Sequence, residues 1–353
     1  MNRRTFNQIL ATATAAIAAP AVSLRPAAAQ EVTLKVAHFW PPIATPQQKL
    51  LVPWTEKLTR ESGGRLKFQF LPAMQSGGTP AQLIDQVQDG VVDIVWTLPG
   101  YTPGRFPIVE VFELPLLGTY AEGCSRALWE FYASTKILQD EFKAVKPLAF
   151  HTTDKYVIHT VKRPVLTTAD FVGLKLRAAT RYTNKVISAL GATPVSMPLS
   201  TVPDALSKGT IDGCIIPWEA APSIKLHEIC KFHSETPLGS PSIALGVFTI
   251  AMNSARYAAL EPDLRQIIDA NSGASLSQQI GKLWDDVGGA ARELARGAGN
   301  SIQTIAPVEI ANWEKRLITI QDDWKKDVTA KGADGAALLS QVRAQIAQFS
   351  KAL

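Results

Sequence analysis

The chain has 353 residues, 46 % of them hydrophobic and 19 % charged, with 36 Lys+Arg against 31 Asp+Glu and a formal charge of +5 at neutral pH. That length exceeds what one hydrophobic core usually holds, so two domains are expected. Three cysteines, Cys124, Cys214 and Cys230, exclude a disulfide scaffold: either Cys214 bridges to Cys230 and leaves one thiol over, or all three are buried and reduced.

Residues 1–30, MNRRTFNQILATATAAIAAPAVSLRPAAAQ, join a basic start to an Ala-rich apolar middle and a small-residue AAA ending, the pattern of an export signal. Arg3-Arg4 before Thr5-Phe6 fits the twin-arginine variant as well as an ordinary signal. Pro20 and Arg25 interrupt the apolar run, which falls short of the roughly 20 residues that span a bilayer. No later segment is long and apolar enough, so a soluble mature protein is expected. Cutting near Ala29 removes three arginines and no acid, and the formal charge falls from +5 to +2. With no basic tract either, nothing electrostatic points to nucleic acid or anionic lipid as partner.

The mature chain opens on VTLKVAHFW, where Val32, Leu34 and Val36 alternate with polar neighbours as a strand does. A helix is expected next, capped by Thr45 before Pro46, striped by Leu50, Leu51, Trp54 and Leu58 despite Pro53, and stopped at Ser62-Gly63-Gly64. RLKFQFL alternates again, which makes a strand, helix, strand unit long enough for a parallel crossover. TPAQLIDQVQDGVVDIVW predicts a helix from Thr79-Pro80 through Leu83, Ile84 and Val87 to Gly90, then a strand over 91–96. STVPDALSKGTIDGCII repeats that grammar, from a Ser200 or Thr201 cap through Val202, Ala205 and Leu206 to Gly209. Both stretches close on Gly, one residue, an aliphatic and Asp: Gly90-Val91-Val92-Asp93 and Gly209-Thr210-Ile211-Asp212. Such an echo predicts two α/β domains of related build, facing each other across a cleft. After Asn253 the pattern turns helical, with Leu276, Ile280, Leu283, Trp284 and Val287 on one stripe and Ile310, Trp313, Leu317, Ile320, Trp324 and Val328 on another. These tryptophans read as core rather than ligand contacts. QVRAQIAQFSKAL closes the chain as a last amphipathic helix.

His38, His151, His159, His227 and His233 form no HExxH or H-x-x-x-H pattern, and no cysteine pair has zinc spacing. GxSxG, GxGxxG after a strand and GxxxxGK[ST] are missing too, so neither metal nor cofactor is expected. Asp285-Asp286 and Asp322-Asp323 read as solvated helix faces. A secreted hydrolase on a two-lobe scaffold, its residues meeting only in space, stays open as a rival reading. GLKLRAAT is the stretch that asks for an explanation. Leu174 and Leu176 alternate with Lys175 and Arg177, and no acid occurs between Asp170 and Asp204. Either the guanidinium points to solvent, or it awaits an anion that is not part of the protein.

The run GLKLRAATRYTNKVISALGATPVSMPLSTVPDALSKGTIDG, Gly173 to Gly213, closely resembles the signature of the substrate-binding subunits of tripartite ATP-independent periplasmic (TRAP) transporters, the DctP-like family. GRLKFQFLPAMQSGG, DQVQDGVVDI and FPIVEVFELPLL extend the resemblance over nearly the whole mature chain. It implies a two-lobed α/β periplasmic-binding-protein fold, class II-like, each lobe a mixed sheet flanked by helices, with a long bridging helix and C-terminal helices. Lobe I is expected over 31–155 plus about 243–283, and lobe II over 156–242 plus about 284–353, including helices that pack across both.

The implied protein is a monomeric periplasmic receptor rather than an enzyme. It captures an organic acid between its lobes and delivers it to small and large membrane permease proteins, or, in a rival reading, to a sensor. Arg177 stands where the family places its carboxylate-binding arginine, a permanently charged fork with two parallel N–H donors. Members that bind polar sugar acids usually carry Asn before the Pro of DGCIIPWEA, where this chain has Ile216. Val157, flanked by Tyr156, holds the place that often supplies a second arginine. A dicarboxylate or sialic acid is therefore disfavoured. His38, Phe39, Trp40, Trp96, Tyr101 and Trp218 are expected around the cleft with Tyr156, Ile216 and Met197. They favour a hydrophobic or aromatic monocarboxylate, held by Arg177 and stacked elsewhere. Lys155 as a second charge keeps short 2-oxo and 2-hydroxy acids open.

Overall fold

A computed structural model describes residues 31–350, and the expected export signal, residues 1–30, lies outside the described residues. The alternating stretches form two mixed sheets. The first contains β1 (Val32–His38), β2 (Leu66–Leu71), β3 (Ile94–Thr97), β4 (Val145–Thr152) and β10 (Val247–Asn253), in the order β2-β1-β3-β10-β4. The second contains β5 (Tyr156–Thr160), β6 (Lys175–Ala178), β7 (Thr193–Ser196), β8 (Gly213–Pro217), β9 (Phe232–Glu235) and β11 (Ser301–Thr304), in the order β11-β9-β5-β8-β6-β7. One strand of each sheet runs against its neighbours: β10 against β3 and β4, and β5 against β8 and β9. The chain passes from the first sheet to the second between β4 and β5, returns between β9 and β10, and crosses once more between β10 and β11.

The echoed Gly-x-aliphatic-Asp motif is one joint built twice. Gly90 and Gly209 take φ of +75° and +67°, a left-handed turn that favours glycine. The Lys35 N–H donates to Asp93 Oδ2 at 2.7 Å, and the Lys175 N–H donates to Asp212 Oδ2 at 2.8 Å. Asp93 and Asp212 return the bond through their own N–H groups, to the carbonyls of Lys35 at 3.1 Å and Lys175 at 2.8 Å. The registers then match, Val36 opposite Ile94 and Leu176 opposite Gly213. Both strands begin later than alternation predicts. The Val91 and Thr210 N–H groups turn back to the carbonyls of Gln86 and Ala205 instead of entering a ladder.

The first helix differs from expectation at its start. Thr45 makes no side-chain cap bond, and the chain takes a π-helical turn, Pro46–Leu51, before the α-helix Val52–Glu61. Pro53 falls in the first α-turn, directly after the π-helical turn, so the missing N–H of proline coincides with the change of helix type. The long helix Gly273–Gly297 packs on the helix Ala121–Ser134 and β4 at one end and on the Trp218–Ala220 turn at the other, so it bridges the sheets. The helix Pro307–Thr329 packs on the helix Arg181–Leu190, and the last helix, Gly335–Phe349, returns to Ala121–Ser134. Trp284, Trp313 and Trp324 are fully buried, as core. Cys124, Cys214 and Cys230 are separate buried thiols, so no bridge joins Cys214 to Cys230. Among the described residues, no helix is long and apolar enough to cross a membrane.

Candidate functional site

Arg177 sits on β6, an interior strand that pairs Arg177 with Val195 of β7 on one side and Cys214 of β8 on the other. Lys175 remains exposed, whereas the Arg177 side chain turns into the protein and is only 2 % exposed. Its Nε donates to the Met197 carbonyl at 3.0 Å, while Nη2 is buried with no hydrogen-bond partner among the described residues. The ion pairs of the described residues leave it out. Arg181, four residues on, is the one that takes acids: it pairs with Glu110 through Nε at 2.8 Å and with Asp327 at 2.8 Å. Burying a cation without an anion is costly. The Tyr101 hydroxyl lies close enough to feel Arg177, which opposes the upward push that burial gives the phenol's pKa.

Arg177 opens on a cavity of about 30 Å³ between the two sheets. From the first sheet's side come Phe39, Trp40, Tyr101 and Phe248; from the second's, Tyr156 at the start of β5, Ile216 and Glu219; and from the crossing between β4 and β5, Thr153. Phe39 is the hub of the aromatic wall, stacked on Trp40 with centroids 5.6 Å apart and edge-on to Tyr101 at 5.4 Å. Burial pushes the Glu219 carboxyl up to about 8, and Glu113, deeper in the first lobe, also to about 8.

Arg177, Phe39, Trp40, Tyr101, Tyr156 and Ile216 thus meet at one cavity, and the other four candidates are placed outside its lining. Trp96 lies behind the wall, stacked on Phe248 at 4.4 Å, with its Nε1 donating to His151 Nε2 at 2.9 Å. His38 turns away to Gln47 Oε1 at 3.0 Å, and burial lowers its pKa to about 4. The Trp218 indole N–H donates to Glu235 Oε1 at 2.7 Å, which swings the ring onto His159 and His233. Trp218 therefore lines a separate groove of about 400 Å³ beside the bridging helix, together with Lys155, whose Nζ donates to the Pro237 carbonyl at 2.8 Å. Met197 meets Arg177 through its backbone and lines the cleft mouth instead.

Sequence reasoning missed Phe248 and Glu219. Phe248 belongs to β10, buried along its whole length, so no alternation marks a face. Glu219 carried a usable signal, a lone acid inside the apolar run Pro217-Trp218-Glu219-Ala220-Ala221-Pro222. Among the described residues, no cluster of three or more His, Cys, Asp or Glu side chains is arranged to hold a metal.

The sequence pattern of DctP, bacterial extracellular solute-binding protein family 7, matches residues 36–327. A TRAP solute-binding protein from Rhodoferax ferrireducens, solved with copurified benzoate, is 46 % identical with a TM-score of 0.88, the match covering 91 % of this chain and 99 % of that one. A marine metagenome TRAP solute-binding protein, described as specific for aromatic acid ligands and solved with 3-hydroxybenzoate, is 42 % identical with a TM-score of 0.88, covering 91 % of this chain and all of that one. The outer membrane transporter protein TsaT of Comamonas testosteroni is 27 % identical over 344 residues, 97 % of this chain and 98 % of TsaT. Because the match runs through both sheets and the bridging helix alike, the chain belongs to the DctP family, the solute-binding receptors of TRAP transporters.

Proposed function

We propose that the protein captures an aromatic monocarboxylate in the periplasm, seats its carboxylate on Arg177, and passes it to TRAP permease subunits in the membrane. One observation carries this reading: a buried guanidinium with an unused donor opens on a cavity whose walls are otherwise largely aromatic and aliphatic. A carboxylate leaves water only where a matched cation replaces its hydration, and the Arg fork does so with two parallel bonds. Phe39, Trp40 and Phe248 offer flat apolar surface for a ring. The cation and the rings come from opposite lobes, so a guest that touches both favours the closed form, the state a membrane partner can recognise. The benzoate and 3-hydroxybenzoate held by the two solved relatives are guests of this kind.

Thermal unfolding with benzoate tests the proposal. At a concentration one hundred times Kd, the ligand adds about 2.7 kcal/mol of stability to wild type. Arg177→Ala is expected to lose about 2–5 kcal/mol of binding free energy and with it most of that gain. Equal stabilisation of both proteins, or consumption of the acid, would defeat the reading.

A further inference from the structure

We infer that Glu219 is a second ligand contact, and that it selects an aromatic acid carrying a hydroxyl on the ring at a distance from the carboxylate. The inference rests on the Arg177 seat and describes the other end of the guest. Among the described residues that line the cavity, three side-chain polar atoms are buried without a partner: Nη2 of Arg177, Nε1 of Trp40 and Oε1 of Glu219. The first two are N–H donors, and the oxygens of a carboxylate satisfy them. Glu219 is different, because its unsatisfied atom is an oxygen on a side chain only 3 % exposed. A guest with a carboxylate alone leaves that oxygen unpaired, which a buried polar group does not tolerate cheaply.

Glu219 is also well placed for the far end. β8 runs parallel to β6 with Cys214 opposite Arg177, and Glu219 follows five residues later in the turn Trp218–Ala220. Three strand residues and the start of a turn set its backbone on the order of 10 Å further along than that of Arg177. Two side chains reaching into one cavity from those positions bracket a single aromatic ring rather than one carboxylate. The backbone of the turn is held, since the Glu219 N–H donates to Asp154 Oδ2 at 3.4 Å and the bridging helix packs against it. That helix comes close through Gly288, where a Cβ would sit 2.3 Å from Asp154 Oδ2. Burial keeps the Glu219 carboxyl protonated at neutral pH. In that form it both donates and accepts, so it can hold a hydroxyl without repelling the carboxylate bound at Arg177.

Calorimetric binding of benzoate, 3- and 4-hydroxybenzoate and the matching methylbenzoates to the mature wild-type chain, Glu219→Gln and Glu219→Leu tests the inference. Wild type is expected to bind one hydroxybenzoate about tenfold or more tightly than its methyl counterpart. Glu219→Leu is expected to collapse that ratio to about one, and Glu219→Gln, which keeps a donor and an acceptor, to retain most of it. An unchanged ratio in Glu219→Leu overturns the role of Glu219 and leaves the Arg177 seat standing. Should that variant fail to fold, wild type decides alone, because hydroxy and methyl acids of equal affinity also overturn it. Failure of wild type to bind any aromatic acid overturns both readings.

Discussion

The two lobes repeat one construction and fill it with opposite chemistry. From the matched joints at Lys35 and Lys175, the strand registers set Ala37 against Arg177 and His38-Phe39-Trp40 against Ala178-Ala179-Thr180. Across the sheet, Trp96 of β3 answers to Ile215 of β8. The first lobe is bulky where the second is small, and the second is charged where the first is neutral. A repeated scaffold thus divides the work: one half supplies a rigid apolar wall, the other a cation with room around it. Under the proposed function, the two halves recognise an aromatic acid only together.

The largest expected effect tests whether the wall is also core. Trp96 is fully buried against His151, Phe248 and Trp284, so Trp96→Ala is expected to cost about 3–5 kcal/mol of stability in urea unfolding. A loss below about 1 kcal/mol would break the comparison, because the first lobe would then be filled by chance rather than by packing.

A smaller effect comes from protons. Burial pushes Glu113 and Glu141 of the first lobe, and Glu219 of the second, up to about 8. The folded chain keeps these protons where the unfolded chain has lost them, so stability falls as pH rises from the ordinary carboxyl range towards 8. Buried histidines oppose this below about 6.5: burial lowers His151 to about 3 and His38 and His233 to about 4, and there stability rises with pH. Lys155, lowered to about 8 by burial, reverses the sign again only above that. Between pH 6.5 and 8 the unfolding free energy from urea titration is expected to drop, by at most about 1.4 kcal/mol per pH unit for each carboxyl. Glu113→Gln is expected to shallow that slope; a flat wild-type profile would show that these carboxyls are ionised in the fold.

The smallest effect sharpens the likeness itself. Asp93 and Asp212 each accept one backbone N–H at the repeated joint, but Asp93 also pairs with Arg256 at 3.2 Å. Loss of either side chain to Ala is expected to cost about 1–2 kcal/mol, with Asp93→Ala the more damaging. The reverse order would mean that the two joints are alike only in outline.

The repeated joint and the absence of an ion-pair partner for Arg177 within its own stretch were legible in the sequence because both depend on near neighbours in the chain. What alternation conveys is a face, never a distance or a turn. Trp218 shows the limit: its ring direction is set by Glu235, seventeen residues away, and no local pattern encodes that bond. Phe248 was hidden for the contrary reason, since a strand buried on both faces offers no contrast to read. Pro53 was visible as an interruption, but not that a π-turn would absorb it.

Arg181 holds Glu110 of the first lobe and Asp327 of the Pro307–Thr329 helix at once, and the Glu110 side chain is 1 % exposed. If the lobes part as the proposed function requires, opening would separate that cation from a carboxylate that is buried in this structure. Dissolved salt screens a charge pair effectively only once it is wet. Ionic strength is therefore expected to govern how fast the guest departs more than how fast it arrives, so that residence time is set by a contact the guest never makes.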